Sequence, residues 1–424
     1  MSLSSVGSNW SGNVVYRARA LHRPRTVNEI QTLVCARDRV RALGSRHSFS
    51  AIADSAELLS LADLDGEIMI DASAGRVSVP AGVTYAELAA ALNRHQLALP
   101  NLASLPHISV AGAVATGTHG SGDRAGSLAT SVVALELVTA DGALLRCERG
   151  EPEFSGLVVG LGALGIITRL TLATEPAYTV AQRVYEGLGW DVLLANLDAI
   201  TAAGDSVSVF HRAGQATEQV WVKRRLPDDS PATELFGSRP AAEPRNPVLG
   251  ADPANATEQL GVAGPWSERL PHFRSGFTPS SGKEIQSELL VGRAHATDAI
   301  EAMRGLSAQI RPLMLVGELR TVAADQLWLS PAYERDTMAL HFTWRREPEA
   351  VRAAVAALEA ALTPYGARPH WGKAMAARAD TVAPLYPRMA DFRRLRSRLD
   401  PRGVFVNDWL IDHVLGEDPT PAGR

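Results

Sequence analysis

Three segments in the second half of the chain alternate between polar and apolar residues, and this pattern constrains the fold more than any other feature of the sequence. In LMLVGELRTV, Glu318 and Arg320 fall on one face of a strand, and Leu315 and Leu319 fall on the other. Successive side chains of a β-strand point to opposite faces of its sheet. The pattern therefore predicts a sheet with one apolar face and one polar face.

Two further strands are expected to extend the polar face of this sheet. In TMALHFTWRR, alternation places His341 and Thr343 together, opposite apolar residues, and in KEIQSELLVG it places Gln286 beside Glu284 and Glu288. The apolar face is expected to pack on helices such as PEAVRAAVAALEAAL. Because these polar groups are suited to binding hydroxyls, we interpret the face as the floor of a binding site. The alternative is a solvated sheet surface.

The first 175 residues predict a different architecture, in which short strands alternate with helices. Thr26 and Thr84 are each followed three residues later by glutamate, which is the spacing of a capping box at a helix start. The pair Asp141-Gly142 joins two β-rich runs and predicts a hairpin. Since 424 residues exceed one ordinary core, we predict an α+β protein of two domains with a cleft between them.

Composition and charge restrict the possible partners. The formal charge is -4, charged residues make up 21% of the chain and no long basic block occurs, which argues against nucleic acid as a partner. No window approaches the roughly 18 apolar residues of a membrane span, and the first residues lack a signal-peptide pattern. The two cysteines, Cys35 and Cys147, are typical of a reducing compartment. We therefore expect a cytoplasmic protein with no membrane partner.

Two glycine-rich segments differ in what they predict. GLGALG, residues 160–165, matches the dinucleotide-binding pattern, but a β-branched strand follows it instead of a helix, so we interpret it as a turn. SVAGAVATGTHGSG, residues 109–122, consists of small residues without charge. Its backbone could approach a large anionic cofactor and bind a phosphate through N–H groups. The alternative is a tightly packed loop.

Histidine and serine patterns favour neither a zinc enzyme nor a serine hydrolase. The chain has 11 histidines, but none shows the spacing of a zinc site, so we expect no protein-built metal site. No G-x-S-x-G motif occurs. His47, in the loop ALGSRHSFS, has no role that the residues around it reveal by themselves.

Several long motifs resemble one family. GSRHSF, AGVTYAEL, ASLPHISVAGAVATGTHGSG and LDPRGVFVNDWL are similar to FAD-dependent oxidoreductases of the vanillyl-alcohol oxidase type. GPWSERLPHFRSGFTPSSGKEIQSE, VGELRTV, LHFTWR and PHWGKAM extend the resemblance to the alditol (xylitol) oxidases. It implies a two-domain FAD-binding fold, with an FAD-binding domain at residues 1–178 that is completed by about 400–424, and an antiparallel-sheet substrate-binding domain at 179–399.

The resemblance also implies how FAD is held. The histidine of the family's GSRHS loop is joined covalently to the flavin 8α-methyl group, and it matches His47. We therefore expect FAD to be attached covalently through His47. The other residues implied to contact FAD are Ala42, Leu43, Gly44, Ser45, Arg46, Ser48, Ser104, Ser109, Gly112, Ala115, Thr116, Gly117, Thr118, Ile166 and His370.

Substrate residues carry over in the same way. The resemblance implies that Lys373, Arg320 and Glu318 are catalytic, and that Ala103 is the small residue that gives oxygen access to the flavin. The residues implied to bind the substrate are Ser104, Gln286, Glu318, Arg320, His341, Thr343 and Lys373. Several of these lie on the polar face that alternation predicts.

The expected activity is the oxidation of the terminal hydroxyl of alditols such as xylitol and sorbitol to the aldose. Hydride passes from C1 to flavin N5, and O2 is reduced to H2O2. The partners are then a small polyol and O2, and we expect a monomer. One alternative is an aldonolactone oxidase or dehydrogenase of the same superfamily, which would keep the Glu-Arg pair. Another is a non-catalytic carbohydrate-binding protein.

Overall fold

The computed structural model describes residues 6–227, 234–277 and 283–416. The strands are β1 (Ala20–His22), β2 (Arg41–Leu43), β3 (Glu57–Ser60), β4 (Met69–Asp71), β5 (Arg76–Pro80), β6 (Leu97–Ala98), β7 (Val132–Val138), β8 (Leu144–Glu148), β9 (Ile166–Ala173), β10 (Glu175–Pro176), β11 (Thr179–Glu186), β12 (Ser206–His211), β13 (Gln219–Leu226), β14 (Arg239–Pro240), β15 (Gly264–Pro265), β16 (Glu284–Gly292), β17 (Met314–Val322), β18 (Thr337–Arg345) and β19 (Arg368–Pro369).

The α-helices are mostly short. They are α1 (Val27–Cys35), α2 (Tyr85–Arg94), α3 (Val110–Ala115), α4 (Phe154–Val158), α5 (Trp190–Ala195), α6 (Leu197–Thr201), α7 (Ala296–Gly305), α8 (Ser307–Ile310), α9 (Pro348–Leu362), α10 (Ala379–Val382), α11 (Met389–Leu399) and α12 (Asp408–Leu410). A π-helical turn at Ile411–Leu415 follows α12.

Five strands in the order β4-β5-β9-β7-β8 form an antiparallel sheet in the N-terminal half, beside a parallel sheet of order β1-β3-β2. The predicted hairpin joins β7 to β8, and Gly142 in its turn has φ of +83°. A Cβ at Gly142 would lie 2.4 Å from Cys35 Sγ, so this turn requires glycine. The GLGALG segment leads directly into β9, which confirms that it is not the start of a dinucleotide-binding helix.

The predicted capping box of α2 is complete. The Thr84 hydroxyl accepts a hydrogen bond from the Glu87 amide at 3.3 Å, and the Glu87 carboxylate accepts one from the Thr84 amide at 2.8 Å. At α1 the box forms only in part, because the Glu29 carboxylate accepts from the Arg25 amide instead of the Thr26 amide. The Thr26 hydroxyl still caps α1.

A nine-stranded antiparallel sheet occupies the second half, in the order β14-β11-β13-β12-β17-β18-β16-β19, with β15 also paired to β11. The three strands identified by alternation are neighbours, because β18 pairs with both β17 and β16. Glu318 and Glu288 both lie opposite His341, one on each side of it. The prediction that these strands share one sheet is confirmed.

One residue of β17 interrupts the alternation. Met314 and Val316 pair with consecutive residues of β18, so Leu315 is the extra residue of a β-bulge. Met314 therefore packs in the apolar core with Leu319, and Val316 faces the opposite side. Placing Leu315 on the apolar face was wrong, because an inserted residue reverses the alternation on its N-terminal side.

Helices cover the apolar face of the large sheet. α7 and α9 contact β16, and α6 contacts β12. The segment PEAVRAAVAALEAAL forms α9, as predicted, and buries Val351, Val355 and Leu358. These helices exclude water from the apolar face of the sheet, so only the polar face is available to form a binding site.

The buried apolar residues form two large clusters. The first contains the N-terminal sheets and α1 to α4, and the second contains the large sheet and its helices. C-terminal residues return to the first cluster from Trp371 onward, including Phe392 and Phe405. We retain the predicted division at residue 178 as a proposal, and the packing adds residues 371–399 to the segment that completes the first domain.

The loop that follows β13 is well packed where the structure describes it. Trp266 is fully buried, and Leu270 and Phe273 are each 6% exposed. Within the three described ranges, the structure contains no helix with the length and apolar character needed to cross a bilayer.

Replacing Thr84 by alanine tests the contribution of the α2 capping box. We expect Thr84→Ala to lower the free energy of unfolding of the first domain by about 1 kcal/mol, because the hydroxyl that accepts from the Glu87 amide is lost. Differential scanning calorimetry would then show a melting temperature about 2–4 °C lower. Thr32→Ala is the matched control, since this exposed threonine lies inside α1 and caps nothing. An equal loss in both variants would contradict the prediction.

Candidate active site

The polar face of the large sheet and several loops of the first domain enclose a cavity. The volume of this cavity is about 360 Å³, which is within the range found for small-molecule binding sites. The first domain contributes residues 41–49 and most of the segment 103–119 to its wall, and the large sheet contributes β16, β17 and β18. His370, Gly372 and Lys373 close one side. Most of the cofactor and substrate residues implied by the resemblance are therefore brought to one place.

Most of the residues assigned to FAD line this cavity: Ala42, Leu43, Gly44, Ser45, Arg46, His47, Ser48, Ser104, Ser109, Gly112, Ala115, Thr116, Thr118 and His370. Ile166 and Gly117 are not among the lining residues. The Ile166 side chain is buried in the first core, and alternation along β9 places Ile167 at the cavity instead. Gly117 lies against Pro331, with φ of +65°. For a side-chain contact with a cofactor, Ile167 is better placed than Ile166.

Two glycines allow the cofactor loops to approach each other closely. A Cβ on Gly44 would lie 2.6 Å from Ser109 Oγ, and a Cβ on Gly112 would lie 2.7 Å from the same atom. The Ser109 amide donates to Ser45 Oγ at 3.0 Å, which joins the two loops. Larger residues would separate them. The result is a patch of small, uncharged residues in this wall that a phosphate-bearing cofactor can approach closely.

His47 lies in this wall as a neutral imidazole. Its ring stacks on Trp10 with the ring centroids 5.5 Å apart, and its Nδ1 is buried without a hydrogen-bond partner among the described residues. Burial, together with the nearby His107 and Lys373, lowers the pKa of His47 to about 4. A neutral, unpaired nitrogen at the cavity is a suitable point for covalent attachment of a cofactor.

All the predicted substrate residues line the cavity: the large sheet contributes Gln286, Glu318, Arg320, His341 and Thr343, the first domain contributes Ser104, and the segment after β19 contributes Lys373. Ala103 lines the cavity as well. Glu318 and Arg320 are each 5% exposed, so the alternative of a solvated sheet surface is wrong. Buried polar groups of this kind require partners, and these partners define the geometry of the floor.

Arg320 is the centre of the charge network on this floor. Its Nη2 and Nε donate to Glu288 Oε1 at 2.8 and 3.2 Å, and its Nη1 lies 3.7 Å from Glu318 Oε2. Nη1 also donates to Ser104 Oγ at 3.2 Å, which connects the sheet to the first domain. Burial raises the pKa of Glu288, but Arg320, His119 and His341 together outweigh this effect and hold that pKa well below its usual range. Glu288 therefore stays ionised beside Arg320.

A second chain of buried groups leads away from Glu318. His272 Nε2 lies 3.0 Å from Glu318 Oε1, and His272 Nδ1 lies 3.2 Å from Lys223 Nζ. Burial raises the pKa of Glu318, but Arg320 and His272 outweigh it and lower the pKa below its usual range. Burial lowers the pKa of His272 to about 4 and that of Lys223 to about 7. His272 is thus neutral and Glu318 ionised at physiological pH.

Lys373 supplies a further cation to the cavity. It donates to Gln286 Oε1, and its Nζ lies 5.2 Å from the centroid of the Phe49 ring. Burial lowers the pKa of Lys373 to about 8. The ammonium is therefore charged at neutral pH and loses its proton within a range that kinetics can measure.

Three buried residues beside Arg320 come together from distant parts of the sequence. Ligand atoms of His119, Glu288 and His370 lie within 4.8 Å of one another. Histidine spacing did not reveal this group, because the sheet and the two loops bring it together. The Arg320 guanidinium already neutralises Glu288, and its positive charge opposes a metal cation at this position.

Sequence reasoning gave no role to Glu288, His272, Lys223 or His119. Glu288 has the same strand parity as Gln286, so alternation had already placed it on the floor. His119 and His272 lie inside motifs of the family resemblance. Lys223 offered no signal, because nothing in EQVWVKRRL distinguishes a buried lysine from a solvated one.

Comparison with protein families assigns both halves of the chain. Residues 18–148 match the family described as "FAD binding domain", and residues 283–413 match the family described as "D-arabinono-1,4-lactone oxidase". The first range contains the glycine-rich cofactor wall, and the second contains the strands of the floor.

Curated relatives extend the match over nearly the full chain. The chain is 48% identical to an alditol oxidase of Streptomyces sp., over 98% of this chain and 100% of the relative. It is 30% identical to an L-gulono-1,4-lactone dehydrogenase of Mycobacterium tuberculosis, over 98% of this chain and 100% of the relative. It is 25% identical to the L-gulonolactone oxidase of Mus musculus, over 95% and 96% of the two chains.

The fold is also found in solved structures. The crystal structure of cholesterol oxidase from B. sterolicum superposes with a TM-score of 0.78 at 16% identity and covers 95% of each chain. At this identity the likeness shows the fold alone, and it confirms the two-domain α+β FAD-binding fold predicted from the sequence. The nearly full-length identity of 48% to an alditol oxidase and the match to the FAD-binding family show that the chain belongs to the alditol oxidase family of FAD-dependent oxidoreductases.

Proposed function

We propose that the protein oxidises the terminal hydroxyl of alditols such as xylitol and sorbitol to the aldose. The observation that carries this proposal is a floor of buried Glu318 and Arg320 with the half-buried Lys373, which shares one cavity with the His47 loop. Hydroxyl groups can donate to a carboxylate and accept from a guanidinium or an ammonium. The floor can therefore bind several hydroxyls of an acyclic polyol at once.

The residues of the cavity fit FAD, and we propose covalent attachment through His47. Support comes from the unpaired Nδ1 of this neutral histidine and from the close approach that Gly44 and Gly112 permit. When bound, FAD would supply the two-electron acceptor for the alcohol hydride and transfer the electrons to O2, giving H2O2. The residues proposed to hold it are the members of the FAD assignment that line the cavity, with Ile167 in place of Ile166.

The charged residues of the floor have distinct proposed roles. Arg320 and Lys373 stabilise negative charge that develops on the reacting oxygen, and fixed cations of this kind contribute several kcal/mol, about 3–4 each by comparison with oxyanion-hole deletions. Glu318 accepts hydrogen bonds from the C2 or C3 hydroxyl and so orients the polyol. Ser104, Gln286, His341 and Thr343 complete the binding wall.

Oxygen access and cellular context belong to the same proposal. Ala103 is small and lines the cavity next to Ser104, which supports a path for O2 and hence an oxidase. A monomer in the cytoplasm remains our expectation; the two free cysteines, Cys35 and Cys147, support a reducing compartment.

An aldonolactone substrate is the second candidate, because residues 283–413 match the D-arabinono-1,4-lactone oxidase family. Purified protein would be given xylitol, sorbitol and L-gulono-1,4-lactone separately, with peroxide release as the measurement. We expect peroxide with the two alditols, because the floor offers partners to an extended row of hydroxyls. Turnover of the lactone alone would make the protein a lactone oxidase and exclude our proposal.

The covalent link is tested by replacing His47. We expect His47→Ala to release its flavin on acid precipitation, whereas the wild-type flavin stays with the protein pellet. His107→Ala is the matched control, because it removes another histidine near His47 and leaves the attachment point intact. Absorbance of the supernatant measures the released flavin. Release from the wild type to the same extent would exclude the link.

The charge of Lys373 predicts the alkaline limb of the pH profile. Because the ammonium is present below its pKa of about 8 and lost above it, kcat/KM for xylitol is expected to fall as pH rises through this value. Lys373→Arg would move the limb to higher pH, since a guanidinium stays charged. The control Lys283→Arg, at an exposed position, leaves the profile unchanged. Activity that instead rises through pH 8 would assign Lys373 as a base.

A further inference from the structure

Lys223 is a buried lysine whose three donors all have acceptors. It is 1% exposed, and its Nζ lies 2.5 Å from Leu270 O, 3.1 Å from Pro271 O and 3.2 Å from His272 Nδ1. A charged ammonium has three hydrogens and no lone pair, so it can only donate. These three contacts therefore use all the donors of Lys223.

This arrangement fixes the tautomer of His272. Its Nδ1 must accept from Lys223, so in the neutral ring the hydrogen lies on Nε2, which donates to Glu318 Oε1 at 3.0 Å. The ring is held in place by Phe210 and Trp221, whose centroids lie 5.4 and 5.5 Å away in edge-to-face geometry. Neither the orientation nor the tautomer of His272 is free to change while Lys223 is charged.

The donor from His272 in turn fixes Glu318. One carboxylate oxygen, Oε1, is held by His272, while Oε2 lies 3.7 Å from Arg320 Nη1. We propose that Lys223 and His272 are positioning residues, which hold Glu318 so that its remaining acceptor capacity is directed to the hydroxyls of the polyol beyond the reacting carbon. This inference rests on the proposed function, because it assigns Glu318 to those hydroxyls.

The backbone of the same segment anchors the arrangement to the first domain. The His272 amide donates to Ser104 O at 3.1 Å, and the Ser104 hydroxyl accepts from Arg320. Glu318 is therefore oriented relative to Ser104, which lies at the junction of the cofactor loop and the floor. If Lys223 is absent, the proton of His272 can move to Nδ1, and the lone pair on Nε2 then faces the carboxylate.

Substitution of Lys223 tests the arrangement kinetically in the flavin-loaded enzyme. We expect Lys223→Met to raise the KM for xylitol about 10-fold while kcat changes less than about 3-fold, because hydroxyl binding weakens and the reacting carbon keeps its partners. Flavin absorbance and melting temperature are measured in parallel. A KM within about 2-fold of wild type would overturn the proposal.

A second background separates positioning from a general structural role. In His272→Gln, the side-chain amide supplies an N–H to Glu318 that does not depend on a ring tautomer. Adding Lys223→Met to this variant is expected to raise the KM no further, so the double-mutant cycle is non-additive. Equal effects of Lys223→Met in both backgrounds would overturn the proposal.

The tautomer can also be read directly in the wild type, in case Lys223→Met does not fold. The holoenzyme is labelled with 15N-histidine, and its NMR spectrum is recorded at about pH 6, below the Lys223 pKa of about 7, where the lysine is mostly charged. The signal missing from His272→Gln assigns His272. An Nε2-protonated ring supports the proposal and an Nδ1-protonated ring overturns it. Failure of the wild type to oxidise xylitol would instead count against the proposed function, whatever the tautomer.

Discussion

The buried Arg320 guanidinium, paired with Glu288 and facing Glu318, is the interaction on which the candidate site depends. Removing one partner of a buried ion pair costs about 3–5 kcal/mol, because the other charge is left without compensation. Arg320 on β17 reaches Glu288 on β16 although β18 lies between these strands. The β18 residue that pairs with Arg320 is Ala339, and this small side chain does not block the contact between Arg320 and Glu288. The antiparallel register is thus needed for charge pairing as well as for backbone hydrogen bonding.

The same sheet serves the core and the chemistry through its two faces. Leu319 and Trp344 pack with the helices on one face, while Glu318 and Arg320 line the cavity on the other. The first domain completes the site through Ser104, which receives a hydrogen bond from Arg320 and accepts one from the His272 amide. The floor and the cofactor wall are therefore positioned relative to each other by hydrogen bonds between the domains, and the proposed cofactor at His47 would face a fixed set of charges.

Much of this could be predicted from local sequence. Alternation placed Glu318, Arg320 and Gln286 on one polar face because strand geometry has a period of two residues. The capping box at Thr84 was recognisable for a similar reason, since it needs only residues within one helical turn. Alternation failed at Leu315, because a β-bulge depends on pairing with the neighbouring strand and leaves no local signal. The family motifs supplied His47, whose surroundings in the sequence are those of an ordinary loop.

The sequence alone was sufficient for the α+β class, the two faces of the large sheet and the family, because these follow from short-range periodicity and contiguous motifs. Tertiary structure decided whether the polar face was solvated or buried, and which groups meet there. Lys223, His272 and Glu318 come from three separate segments, and only the folded chain brings them into contact. Their ionisation and tautomer depend on burial and on neighbours across these segments, which residue order does not encode locally.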